Sequence, residues 1–142
     1  MRISFKEKSE WFVLVSLVLV YGNYFAKVLP TRGPEVGATD MARFVGAIVT
    51  LVILQIVGQA LLATANQREI ARGVQHDERD TMIDLRASRV GSYALATGVL
   101  LALLTALQVP GNFAFVHVLF GSWVVSQALE IATRLLLYRR GV

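Results

Sequence analysis

The chain has 142 residues, no cysteine, a formal net charge of +4 and a hydrophobic fraction of 55%. That length holds one domain, and the lack of cysteine excludes disulfides, thiolate metal sites and cysteine catalysis. The basic residues flank long apolar blocks and form no patch interleaved with aromatics, which argues against nucleic acid as a partner.

The mean hydropathy of +0.56 comes from apolar blocks too long for a soluble fold to bury. The first runs from Trp11 to about Leu29 and ends at Pro30. It exceeds the roughly 7–15 apolar residues of a secretory signal, so it reads as a retained span. Thr31 to Asp40, with Gly33, Pro34 and Gly37, is a loop. Asp40 suits the cap of the second block, Met41 to about Ala65, because its carboxylate can accept from first-turn amides. A polar stretch from Asn66 to about Arg89 follows.

The third block covers Val90 to Gln108. Val109-Pro110-Gly111-Asn112 reads as a tight turn, and the fourth block runs from Phe113 to about Tyr138. Each block is near the ~20 residues that cross a hydrocarbon core, where only internally bonded helices are tolerated. The expected fold is all-α: an integral membrane four-helix bundle with spans at about 11–29, 41–65, 90–108 and 113–138. Segments 1–10, 66–89 and the C-terminus hold eleven of the fourteen Lys and Arg residues. The positive-inside rule therefore predicts both termini, and the loop at about 66–89, in the cytoplasm.

Val57-Gly58-Gln59-Ala60-Leu61 echoes Val125-Ser126-Gln127-Ala128-Leu129 at an offset of 68. The echo fits either a duplicated helical hairpin or coincidence in Ala- and Leu-rich sequence. In lipid, small residues and hydrogen bonds select the packing faces. Ala87, Gly91, Ala94, Gly98, Ala102 and Thr105 line one stripe of the third span. Gln55, Gln59, Ala63 and Asn66 line the second; Ser122, Ser126, Glu130 and Thr133 or Arg134 line the fourth; the first offers Ser16 and Asn23. These stripes are expected to converge on the interior, as interhelical glue worth about 0.6–2 kcal/mol per bond or as a polar pathway for a solute.

Glu130 is the one ionisable residue well within a span, which by default marks a functional hypothesis. Arg134 at i+4, or Arg86 or Arg89 from the third helix, can make it a structural ion pair instead of a proton carrier. His117 has no acidic or histidine partner at i+3 or i+4, so it is expected to satisfy a backbone carbonyl. Glu10 sits just before Trp11, at the interface. In the small multidrug transporters, which it invites comparison with, a glutamate lies well inside the first span.

The most distinctive segment is His76 to Arg89. With Asp77 as cap, helix can run unbroken from Glu78 into the third span. Glu78 and Asp80 lie at the positive end of its dipole, with arginines following. Asp80 and Asp84 share one face; Met82, Arg86 and Arg89 share another. About 31 residues rise roughly 46 Å, so the first turns must project beyond the hydrocarbon into the cytoplasm. Three roles fit: a structural collar, a docking site, or a hard-cation site built on His76, Asp77, Asp80 and Asp84.

The run Asp77-Glu78-Arg79, with Ile83, Ala87 and Arg89 at fixed spacing before an apolar helix, resembles the hallmark of a group of small prokaryotic membrane proteins of unknown function. That resemblance implies four spans with the motif ahead of the third, and a bacterial or archaeal inner membrane. No nucleophile–base pair, phosphate loop or metal cluster is visible, so no catalytic residue and no cofactor is expected. The expected role is a non-enzymatic accessory or regulatory subunit. Besides the lipid bilayer, it would meet a cytoplasmic or membrane protein partner through Asp77, Glu78, Arg79, Asp80, Asp84 and Arg86. The alternative is a small transporter or channel, working as a homo-oligomer through Gln55, Gln59, Ser126, Glu130 and Arg134.

Overall fold

The computed structural model of the protein describes residues 4–73 and 78–140. Among these residues every regular element is helical: α1 (Phe5–Val28) with a 3₁₀ turn at Leu29–Thr31, α2 (Ala38–Ala65), the short α3 (Gln67–Ala71), α4 (Glu78–Gln108) and α5 (Phe113–Arg140). The four long helices are each apolar and long enough to cross a membrane. They fall on the four expected spans, which makes this a multi-pass membrane architecture.

Helix starts are set by local hydrogen bonding. The Ser4 hydroxyl accepts from Glu7 N–H while the Glu7 carboxylate accepts from Ser4 N–H, each at 3.2 Å. This reciprocal cap starts α1 six residues ahead of the apolar block. Asp40 does not occupy the cap of α2, as its sequence position suggested. Gly37 does, and Asp40, at the third helical position, reaches back to accept from Gly37 N–H at 3.1 Å. Helix α4 is helical from Glu78, the first described residue of this segment, and runs unbroken into the third span; Asp77, its expected cap, lies outside the described residues. Within the polar stretch, α3 is tied to the start of α1 because Glu69 Oε1 accepts from Phe5 N–H at 2.7 Å.

The long helices pack in the order α2–α1–α5–α4, most extensively between α4 and α5. Ala87, Gly91, Gly98 and Ala102 are buried there, so the small-residue stripe is the contact face. A β-carbon on Gly98 would lie 2.1 Å from Ser122 Cβ, so α5 packs too close at this point for a side chain on α4. Helix α2 rests on α1 and leaves Val45, Val49, Val52, Ile53, Ile56 and Leu61 exposed. Water would penalise that face at about 25 cal/mol per Å²; hydrocarbon does not.

At the end remote from the termini, the two connections lock together. Gly111 has φ +84° and its β-carbon would fall 1.9 Å from Pro34 O. Phe113 N–H donates to that same carbonyl at 3.1 Å, and Val36 N–H donates to Asn112 Oδ1 at 2.8 Å. Beneath them Tyr24, Val28 and Phe113 form a core, packed with Phe25, Phe44 and Phe120. His117 is buried there, with Nδ1 2.8 Å from Phe113 O and Nε2 2.9 Å from the Tyr24 hydroxyl. A carbonyl only accepts, so Nδ1 carries the proton and Tyr24 donates to Nε2. The backbone carbonyl expected for His117 is that of Phe113.

Candidate functional site

At the terminal end, three helices bring charge to one point. Arg134 of α5 donates from Nη1 to Glu10 Oε1 of α1 at 2.8 Å and from Nη2 to Glu130 Oε1 at 2.9 Å. Its Nε lies 2.9 Å from Asp84 Oδ1 of α4, yet makes no hydrogen bond. The distance satisfies an ion pair but the N–H points off the line, so that contact is Coulombic. One turn further out, Lys6 of α1 pairs with Asp80 of α4. Arg139 lies over the Trp11 ring, 5.5 Å from its centroid, and joins α5 to α1 at the same level.

Helical phase produces this arrangement. Asp80, Asp84, Ala87 and Gly91 recur at steps of three and four, on the side of α4 that meets α5. Gly91 lies directly against Glu130: a β-carbon there would lie 2.8 Å from Glu130 Oε2, and the carboxylate would have to shift to admit it. Arg134 is 21 residues beyond Phe113, roughly 31 Å along the helix, a distance comparable to the thickness of a hydrocarbon core. Glu130 is one turn nearer the middle of α5. The ion pair expected between Glu130 and Arg134 is present. The third helix contributes Asp84 to it, whereas Arg86 and Arg89 are exposed.

Glu10 does not stand alone at the interface. It contacts Arg134 with its side chain 22% exposed, and the reading of the first span passed over this. The phase of α1 carried the signal: Leu17, Tyr21, Tyr24 and Val28 are its buried face, and Glu10 and Lys6 continue that face at steps of seven and four. The cluster borders a cavity of about 280 Å³ lined by Lys6, Ser9, Glu10, Asp84, Arg134 and Tyr138, among others. Three carboxylates around one guanidinium leave an acidic excess beside that space.

The motif's remaining residues divide by face. Asp80 and Asp84 turn toward Lys6 and Arg134; Glu78, Arg79, Met82, Leu85, Arg86 and Arg89 are exposed. His76 and Asp77 lie outside the described residues. Among the described residues, no three His, Cys, Asp or Glu side chains are grouped to hold a metal ion.

The polar stripes do not converge on one interior. Gln55 Nε2 donates to Ser16 Oγ at 2.5 Å, Ser9 Oγ donates to Gln59 Oε1 at 2.8 Å, and Lys8 Nζ donates to Asn66 Oδ1 at 2.7 Å. The first two join α2 to α1, and the third joins α1 to the residue that ends α2. Ser126 and Glu130 instead face Gly91 of α4. Two separate seams result, because α2 packs on α1 while α4 packs on α5.

No family model matches the chain, and no curated protein or solved structure matches it either.

Proposed function

We propose that this chain is a four-helix-bundle protein of a prokaryotic inner membrane, with both termini and the 66–89 segment in the cytoplasm. In this reading α4 extends beyond the bilayer and carries the binding surface of a non-enzymatic accessory or regulatory subunit. The observation that supports it is the sorting of charge around α4. The acids Asp80 and Asp84 are engaged by Lys6 and Arg134, while Arg86 and Arg89 are exposed beside Met82 and Leu85. Apolar residues interleaved with arginines suit an acidic protein surface, since arginine and methionine are both enriched at interfaces. The Asp-Glu-Arg motif and its likeness to small prokaryotic membrane proteins agree with this placement.

A photoreactive residue at Leu85, activated in native membranes, tests it. A crosslinked protein that disappears in Arg86→Gln/Arg89→Gln supports the subunit reading; absence of any protein adduct sinks it. Single cysteines at Gly37 and Arg72 test topology, because labelling of Gly37→Cys from the cytoplasmic side would reverse the orientation.

A second reading, a small oligomeric transporter or channel, is favoured by the acidic excess at Arg134 and the cavity of about 280 Å³ beside it. Proton or cation flux in liposomes that is abolished by Glu130→Gln would establish it in place of the first.

A further inference from the structure

The opposite end of the α1·α2 pair holds a second cavity, of about 230 Å³, lined by Asn23, Lys27, Arg43, Gly46 and Thr50 with the Tyr24 ring. Lys27 is one residue, and Asn23 five, before Val28 at the end of α1. The cleft therefore runs about 8 Å along the helix from that end, which in a membrane-spanning α1 leads inward from headgroup level. Two cations border it and no carboxylate does. Asp40, three residues before Arg43 in α2, does not line it and accepts from Gly37 N–H.

Arg43 is held across the mouth of the cleft. Its Nη1 donates to Lys27 O and to Thr31 Oγ1, both at 3.3 Å, which fixes the guanidinium while engaging one of its nitrogens. The side chains of Asn23, Lys27 and Thr50 have no hydrogen-bond partner among the described residues. Asn23, Lys27 and Thr50 are exposed along the cleft; where lipid covers them, an unmet amide or hydroxyl costs several kcal/mol, and a cation gains from an anion brought beside it. A group with several acceptor oxygens and a negative charge meets all four side chains together. Phosphate is the group that fits, and the pairing of arginine with phosphate is strong and directional.

We propose that this cleft binds a phosphate group, carried either by a phospholipid head or by a soluble phosphate. The inference rests on the chain spanning a membrane and is independent of the partner reading, which concerns the other end. Gly46 supplies a clean test, because a β-carbon there meets nothing within 4 Å. Gly46→Leu therefore fills the cleft while leaving every charge in place.

The full chain, purified in detergent, is titrated with phosphatidylglycerol in one arm and inorganic phosphate in the other. Bound ligand is counted by native mass spectrometry and affinity is measured by calorimetry. Wild type is expected to bind one equivalent in at least one arm. Gly46→Leu and Lys27→Gln/Arg43→Gln are each expected to weaken that binding at least 10-fold. Saturation by phosphatidylglycerol that excess inorganic phosphate does not reverse identifies a lipid head. Binding of inorganic phosphate alone, with the same dependence on the variants, identifies a solute. Should the double charge variant fail to fold by circular dichroism, Gly46→Leu decides. Equal affinity in wild type and Gly46→Leu, or no stoichiometric binding in either arm, overturns the proposal.

Discussion

Replacing Arg134 by methionine keeps the apolar stem of the side chain and removes the guanidinium that Glu10, Asp84 and Glu130 all contact at 2.8–2.9 Å. The side chain is 20% exposed, so solvent screens the loss only in part. Taking one partner from a largely buried ion pair costs about 3–5 kcal/mol, chiefly because the other charge is left without compensation. Here three charges are left, and they repel one another. Glu10→Gln is a different perturbation. It leaves Arg134 with two carboxylates and lowers the acidic excess, so no charge is left without compensation and its cost should stay within about 1 kcal/mol, the net worth of a typical hydrogen bond. The two variants should therefore differ by at least about 2 kcal/mol, roughly 30-fold in the unfolding equilibrium. Unfolding in mixed micelles by added dodecyl sulfate, followed by far-UV circular dichroism, measures both. Adding Glu130→Gln to Arg134→Met should recover part of the loss. The reasoning fails if Arg134→Met costs no more than Glu10→Gln, because the guanidinium would then not be what holds the three carboxylates together.

Gly111→Ala should destabilise by about 1–3 kcal/mol in the same assay, since it combines a left-handed backbone with a β-carbon 1.9 Å from Pro34 O; Asn112→Ala, which loses one hydrogen bond to Val36, should cost less. Gly98→Ala should separate α4 from α5 and lower the unfolding midpoint. Pairing it with Ser122→Gly should restore most of the loss, because the clash is with Ser122 Cβ at 2.1 Å. Tyr24→Phe leaves the buried Nε2 of His117 without its donor and should cost about 1–3 kcal/mol, with the imidazole resonances of His117 reporting the change by NMR.

The number and type of the long helices were legible because a bilayer imposes a minimum length and one backbone solution on every apolar block; the starts of α1 and α2 were not, because they are set by the caps at Ser4 and Gly37. The α4 stripe was legible for a related reason: small residues at steps of three and four mark a close backbone approach whatever the partner helix is. Which helix met which was not legible. The polar stripe of α2 could be read, but not that Ser9 and Ser16 of α1 would meet Gln59 and Gln55, because a stripe carries phase without naming its neighbour. The same gap explains the partners of Glu130. Arg86 and Arg89 lie at the right end of the third helix to reach it, but Arg86 lies about 200° around the helix from Asp84, and α5 packs on the Asp84 side. Glu10 was read from its depth alone. Its alignment with Leu17, Tyr21 and Tyr24 would have turned it inward.

That 200° also ties the charged cluster to the proposed partner surface. Asp80 and Asp84 hold α4 in its rotational setting through Lys6 and Arg134, and this setting leaves Arg86 and Arg89 exposed. The acids and the arginines of one short motif are thus alternatives in orientation. A partner that needed Asp80 or Asp84 would have to break contacts with α1 and α5 first, whereas one that needs the arginines meets them as they stand. Loosening the cluster with Arg134→Met should consequently weaken capture of such a partner at Leu85, although Arg134 itself lies on the other side of α4. Undiminished capture in a folded Arg134→Met protein would mean that the packing of Ile83, Ala87 and Gly91 against α5 holds the rotation without help from the charges.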